Sequence, residues 1–198
     1  MTIQADEFLR KTRLKKRKTG AKTSTTKSVF IGVHIRRSDY ESYLQSRTTH
    51  GGFYLSKAYY WAGFTYFYKK FNLKKYDLIF VLASDDQTWV QDNFRGPDFA
   101  YTSSPELNSH PQQVFLDMAI LSRCNHSIIS YGTYSFWTAY LKPRGVHLHV
   151  AHDYDNYPME TQYLQSKNVE WVELKDPCVT KNSDGSWKFN FDKVNCTR

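Results

Sequence analysis

Between Val29 and Asp39 the chain reads V-F-I-G-V-H-I-R-R-S-D, and no other stretch limits the possible folds as sharply. Val29, Ile31, Val33 and Ile35 alternate with Phe30, Gly32, His34 and Arg36, so a strand over 28–36 has one β-branched apolar face. His34 and Arg36 point together from the other face, and Arg37, Ser38 and Asp39 then leave the strand. Adjacent arginines at a strand's C-terminal end lie where open α/β sheets bind ligands. Guanidinium is a planar, permanently charged donor suited to phosphate oxygens. The pattern therefore predicts a site for an anionic ligand, a diphosphate by its chemistry.

The rest of the chain alternates strand and helix signals. A loop is expected at 37–52 and a helix at 53–71, rich in aromatics from Tyr54 to Phe71. Aromatics at helical spacing read as core more readily than as a stacking platform. Asp77 to Ala83 is a near-continuous apolar run, as expected of a buried parallel strand. A short helix at 86–94 opens on an acidic pair. A strand at 98–102, a helix at 110–123 with Pro111 in its first turn, and a strand at 126–130 follow. A helix at 133–142 and strands at 146–150 and 169–174 complete the series. Repeated β-α-β units predict an α/β, Rossmann-like parallel sheet.

At 198 residues and 40% apolar content the chain can bury one core, and a single globular body is expected over 28–175. The formal charge of +8 is concentrated at one end: residues 1–27 hold nine Lys or Arg against Asp6 and Glu7, which leaves the remainder near neutral. A basic arm can bind nucleic acid or anionic lipid. Its low apolar periodicity and Lys/Thr richness instead predict a solvated, disordered leader, and no nucleic-acid partner is expected where basicity stops as the fold begins. No run of about 18 apolar residues predicts a membrane span, and no signal-peptide core opens the chain. Cys178 and Cys196 flank a polar loop containing Asn-Ser-Asp-Gly, so residues 176–198 read as a tail that a disulfide can close. Cys124 reads as a small buried hydrophobe at a helix end. Asn195-Cys-Thr is a credible glycosylation sequon; Asn125-His-Ser, between a helix and an apolar strand, is expected to stay unmodified.

Three linked motifs carry a resemblance. His34-Ile-Arg36-Arg37-Ser-Asp39-Tyr40, the Phe80-to-Trp89 block with Ser84-Asp85-Asp86, and the long block from Asp117 to Leu141 occur in one order. Over residues 28–174 the chain resembles the α1,2-fucosyltransferases, whose first motif the α1,6- and protein O-fucosyltransferases share in looser form. The resemblance implies the donor-binding half of a GT-B glycosyltransferase. It implies inverting transfer of L-fucose from GDP-fucose to a terminal galactose of a glycan, without a metal or other cofactor. It also implies a Golgi setting, with membrane attachment only through a segment absent from this chain. The family's glycine-rich G-x-L-G-N-Q-type segment does not occur here. A donor-binding half is therefore expected, either of a working enzyme or as an inactive nucleotide-binding fragment.

The same resemblance assigns site residues, each beside a structural alternative. Arg36 is expected on the β-phosphate. Arg37 either joins it or forms an ion pair with Asp39. The backbone amides of Thr133, Tyr134 and Ser135 open a helix after Gly132 and form an anion site, while Thr133 is also a plausible N-cap. Phe136 and Trp137 read as core. Asp117, a carboxylate between Leu116 and Met118, is expected against the guanine edge; the alternatives are a cap or a partner for Arg123. His34 is either a nucleotide contact or a satisfied strand histidine. Asp85 and Asp86 either hold a ribose hydroxyl or a metal, or cap a helix. Asp39, Glu41 and His50 are candidates to take the acceptor's proton, with Asp39 the one in the motif. Asp153-Tyr-Asp155 is a formal D-x-D late in the chain, and a metal there is the weaker reading.

Overall fold

The computed structural model describes residues 2–19, 26–47, 54–104, 111–142, 144–150, 170–183, 187–190 and 196. Helix α1 spans Thr2–Thr19, strand β1 Lys27–Ile35, α2 Tyr40–Arg47, α3 Lys57–Lys70, β2 Tyr76–Ser84, α4 Gln87–Asn93 and β3 Phe99–Tyr101. They are followed by α5 (Pro111–Leu121), β4 (His126–Ile128), α6 (Thr133–Tyr140), β5 (Val146–Val150), β6 (Glu170–Leu174), β7 (Val179–Lys181) and β8 (Trp187–Phe189). Six strands form one sheet in the order β3-β2-β1-β4-β5-β6, every pair parallel. That is the doubly wound order in which the chain runs outward from β1 in one direction, then returns to β4 and runs outward in the other.

Period-2 alternation splits the central strands between two apolar layers. Val29, Ile31, Val33 and Ile35 of β1, with Leu78, Phe80 and Leu82 of β2, pack on Tyr60, Phe64 and Phe67 of α3. The aromatic stripe of α3 is thus core. Phe30, Ile79, Val81 and Ala83 face the other way, onto Ile120, Leu121 and Cys124 beside α5. A Cβ at Gly32 would stand 3.2 Å from a Leu121 methyl and 3.3 Å from the Leu121 carbonyl oxygen, so glycine lets α5 close on β1. Cys124 is buried, and burial pushes its thiol up to about 12. The Asn125 side-chain oxygen accepts the Phe30 N–H at 2.9 Å.

Three expectations need correction. The leader is not disordered over Thr2–Thr19: α1 lies against α5, with Ala5 and Leu9 buried in the second layer. Arg123 pairs with Asp6 at 2.7 Å, the Arg13 guanidinium lies 5.5 Å over the Phe30 ring, and Lys16 donates to the Leu78 carbonyl at 3.0 Å and pairs with Asp98. Only a narrow apolar stripe was available to signal this helix, and packing stabilises it more than local propensity does. The expected loop at 37–52 contains α2. The third helix begins later than expected, at Lys57, where Ser56 caps it by accepting the Tyr59 N–H at 3.2 Å.

Asp176 anchors the start of the tail by accepting from the Ser56 N–H and hydroxyl at 2.7 and 2.6 Å. Beyond it β7 and β8 pair antiparallel, and Cys178 and Cys196 are joined in a disulfide. Asn195 lies outside the described residues.

Candidate functional site

The C-terminal ends of β1, β2 and β4 converge where the strand order reverses. Such a switch point leaves a crevice, because the helices that follow the flanking strands run to opposite faces of the sheet. The residues after β1 (Arg36 to Asp39), after β2 (Asp85) and after β4 (Tyr131 to Thr133) wall that crevice. It holds a cavity of about 500 Å³ bounded by His34, Arg36, Asp39, Asp85, Asp117 and Tyr134, among others. A smaller cavity of about 240 Å³ shares His34, Arg36 and Tyr134 with it.

Arg36 stands at the common wall. Its two terminal nitrogens donate to different carboxylates, 2.5 Å to Asp85 and 2.6 Å to Asp39. The two partners are not equivalent. Asp85 is nearly enclosed and also accepts the Arg37 N–H at 2.8 Å and the Ser38 hydroxyl, so its oxygens are committed to holding the turn and Arg36. Asp39 is 78% exposed, which leaves its arm of the fork exchangeable for a ligand oxygen. Asp85 thus positions Arg36, and it also lines the larger cavity, where its ribose contact was expected. Asp86 is the N-cap of α4, accepting the Trp89 N–H at 3.0 Å.

Arg37 points away from both cavities. Its guanidinium is buried 3.8 Å over the Trp89 ring and 4.8 Å over that of Tyr54, with Asp86 3.5 Å from Nε. Burial lowers its pKa, yet guanidinium stays charged at neutral pH. The expected phosphate contact is therefore not formed by Arg37. The expected pair with Asp39 is not formed either, since Arg36 takes that carboxylate. Adjacent in sequence, the two arginines follow directly on the strand, before the turn at Ser38, and side chains at consecutive extended positions point to opposite faces.

His34 is buried with Nδ1 3.2 Å from the Ser130 hydroxyl and 3.0 Å from that of Ser135. Burial first, and then the nearby Arg36 charge, push its pKa down to about 3, so the ring is neutral. It lines both cavities and is a satisfied strand histidine at once. The Ser135 side chain is fully buried, accepting the Ser130 N–H at 2.9 Å, so only its backbone can serve a ligand. Gly132, at φ 92°, occupies the N-cap of α6, and no side chain caps the helix. Thr133 is thus not the cap. The first-turn amides of Thr133, Tyr134 and Ser135 head α6 without a side-chain acceptor, the arrangement in which helix starts bind anions. Thr133 and Tyr134 line the smaller cavity, and the Tyr134 hydroxyl donates to the Val114 carbonyl at 2.6 Å, tying α6 to α5.

Asp117 faces the larger cavity from α5. Burial pushes its carboxyl up to about 6, against hydrogen bonds from Thr102 and Gln113, the latter at 2.5 Å. Arg123 is engaged by Asp6, so the alternative role of Asp117 as its partner does not hold. Gln113 was missed from sequence, although its position one turn before Asp117 is the i,i+4 spacing that brings such side chains together. Ser84, Tyr40, Tyr43 and Tyr131 also line the cavities without having been singled out for ligand contact. Glu41 stands in the first turn of α2, while His50, Asp153 and Asp155 lie outside the described residues. Among the described residues, no group of three or more His, Cys, Asp or Glu side chains is placed to hold a metal ion.

Residues 2–175 match the family model of glycosyl transferase family 11. The chain is 30% identical over 145 residues to a galactoside 2-alpha-L-fucosyltransferase of Bos taurus, covering 70% of this chain and 33% of that protein. It is 33% identical over 144 residues to a galactoside alpha-(1,2)-fucosyltransferase of Oryctolagus cuniculus, covering 70% and 33%. The chain spans about one third of the length of these curated relatives. Among solved structures it is similar to the alpha-1,6-fucosyltransferase NodZ co-crystallized with GDP, at 19% identity and a TM-score of 0.36, covering 70% of this chain and 42% of that one. With nearly the whole described body inside the family match, the chain belongs to glycosyl transferase family 11.

Proposed function

We propose that this chain forms the donor site of an inverting, metal-independent α1,2-fucosyltransferase of GT-B type, taking L-fucose from GDP-fucose to a terminal galactose of a glycan. The observation that carries the reading is the position of Arg36. Its fork lies at the wall shared by two cavities, at the sheet's switch point, beside the uncapped start of α6. The relatives' names, galactoside 2-alpha-L-fucosyltransferases, support the linkage and the sugars. The disulfide supports an oxidising compartment such as the Golgi lumen.

Transfer breaks the bond between the anomeric carbon and the β-phosphate oxygen, and the electron pair leaves with GDP. Arg36 and the α6 amides face that developing charge, a stabilisation that strengthens as the bond breaks. Guanine sits in the larger cavity with its N1–H and amino group toward Asp117, whose buried carboxylate gains two donors there. The acceptor hydroxyl attacks from the face opposite the diphosphate, which inverts the anomeric centre. Asp39, the exposed carboxylate of the motif, is released as phosphate takes over its arm of Arg36, and receives the hydroxyl proton only by turning from the larger cavity to the attacking face.

Calorimetric titration with GDP tests this. Arg36→Lys keeps the charge but loses the two-pronged fork, so GDP affinity falls about tenfold or more in a folded protein. Chelation by EDTA leaves GDP affinity unchanged, together with whatever fucose transfer the complete protein performs. Equal GDP affinity in Arg36→Lys, or activity lost in EDTA and restored by Mn²⁺, overturns the assignment.

A further inference from the structure

We propose that the smaller cavity is the seat of a single hexose ring, the one carried on the donor's β-phosphate, and that Tyr43 is its stacking platform. The inference rests on the nucleotide reading of the larger cavity and extends it to residues the motifs do not assign. The two cavities differ in chemistry. Asp39, Asp85 and Asp117 line the larger one, whereas the smaller one, with about half the volume, is walled by Tyr40, Tyr43, Tyr131 and Tyr134 and has no carboxylate among its described lining residues.

Their connection sets what can occupy each. Arg36, His34 and Tyr134 belong to both, so a diphosphate on Arg36 lies between them. A nucleoside on one side of that diphosphate leaves the group on its other end to enter the tyrosine-lined space. Tyrosine suits a pyranose, because its ring face covers the C–H side of the sugar while its hydroxyl meets the sugar's hydroxyls. Tyr40 and Tyr43 are stacked, with ring centroids 5.1 Å apart and an interplanar angle of 22°, and Tyr43 is 38% exposed at the rim. Tyr40 is in turn held under the Arg36 guanidinium, 5.5 Å from its ring centroid. Gly132 keeps the space open: a Cβ there would stand 3.0 Å from the Tyr40 hydroxyl, at a backbone φ of 92° that other residues rarely adopt. The platform, the cation and the glycine thus form one wall, and its shape favours a compact sugar over a second base.

Saturation-transfer NMR on GDP-fucose reads the two halves of the ligand separately. Native protein transfers saturation both to guanine H8 and to the hexose methyl. Tyr43→Ala cuts the methyl signal about fivefold relative to H8, while Tyr43→Phe, which keeps the ring face, retains it. Calorimetry with GDP alone gives the same affinity for all three proteins. A methyl signal unchanged in Tyr43→Ala, with H8 still present, overturns the sugar subsite alone. Absence of any H8 signal from the native protein instead overturns the nucleotide reading and, with it, the subsite.

Discussion

Asp117→Asn should make this protein more stable at neutral pH while weakening its hold on guanine. Asp117 is 7% exposed, and burial raises its carboxyl from the ordinary 3.8 to about 6. Because the folded value lies above the unfolded one, the protonated form folds better. Stability from this group is fully present below about pH 4 and is lost as pH rises through about 6. The interval corresponds to about 3 kcal/mol of cost for carrying the charge at neutral pH. An amide of the same shape carries no charge and still accepts from Gln113 through its oxygen, though its N–H₂ gains no fixed acceptor. That unmet donor costs about 1–3 kcal/mol, so a net gain of up to about 2 kcal/mol is expected. Urea unfolding of native protein and variant at several pH values reads it directly. The variant is the more stable at pH 7.5, and the difference falls by about 3 kcal/mol as pH drops below about 3, where the native carboxyl is protonated in both states, so that the order reverses. The same substitution weakens GDP by about 1–3 kcal/mol, with little effect on ADP or UDP. A stability difference that does not change with pH, or a variant less stable at pH 7.5, would refute the burial argument. Equal weakening of all three nucleotides would make the aspartate structural.

Asp85→Ala releases Arg36 and leaves the Arg37 N–H and the Ser38 hydroxyl without their acceptor. It should lower stability by about 2–3 kcal/mol and weaken GDP; a variant with native GDP affinity would show that Arg36 needs no holder. Leu9→Ala removes the buried anchor of α1, and chemical denaturation should register about 2–3 kcal/mol. A loss under about 0.5 kcal/mol, the range of surface substitutions, would mean that α1 is only loosely attached.

The strands were legible in the sequence because β1 alternates β-branched residues on one face and β2 is a near-continuous apolar run, whereas their order in the sheet was not. Periodicity likewise marked α3, whose aromatic stripe is wide enough to identify a core face. Helix α1 gave no such signal: its apolar contacts amount to Ala5, Leu9 and partly buried Phe8, and the rest of its attachment is Arg13, Lys16 and Asp6 reaching residues far along the chain. The candidate site divides the same way. His34, Arg36 and the Gly132–Thr133 turn were identifiable because each lies at the end of a strand in a recognisable motif. The fate of Arg37 was not, since the ring it lies over, Trp89, is brought beneath it by a separate β-α unit. The pairing of Asp85 with Arg36, across 49 residues, and the enclosure that raises the Asp117 carboxyl exist only once β1, β2 and α5 are packed together. Local pattern determines which side chains leave a strand end. Burial and partner choice are properties of the assembled sheet, because desolvation and hydrogen bonding depend on neighbours that sequence distance does not encode.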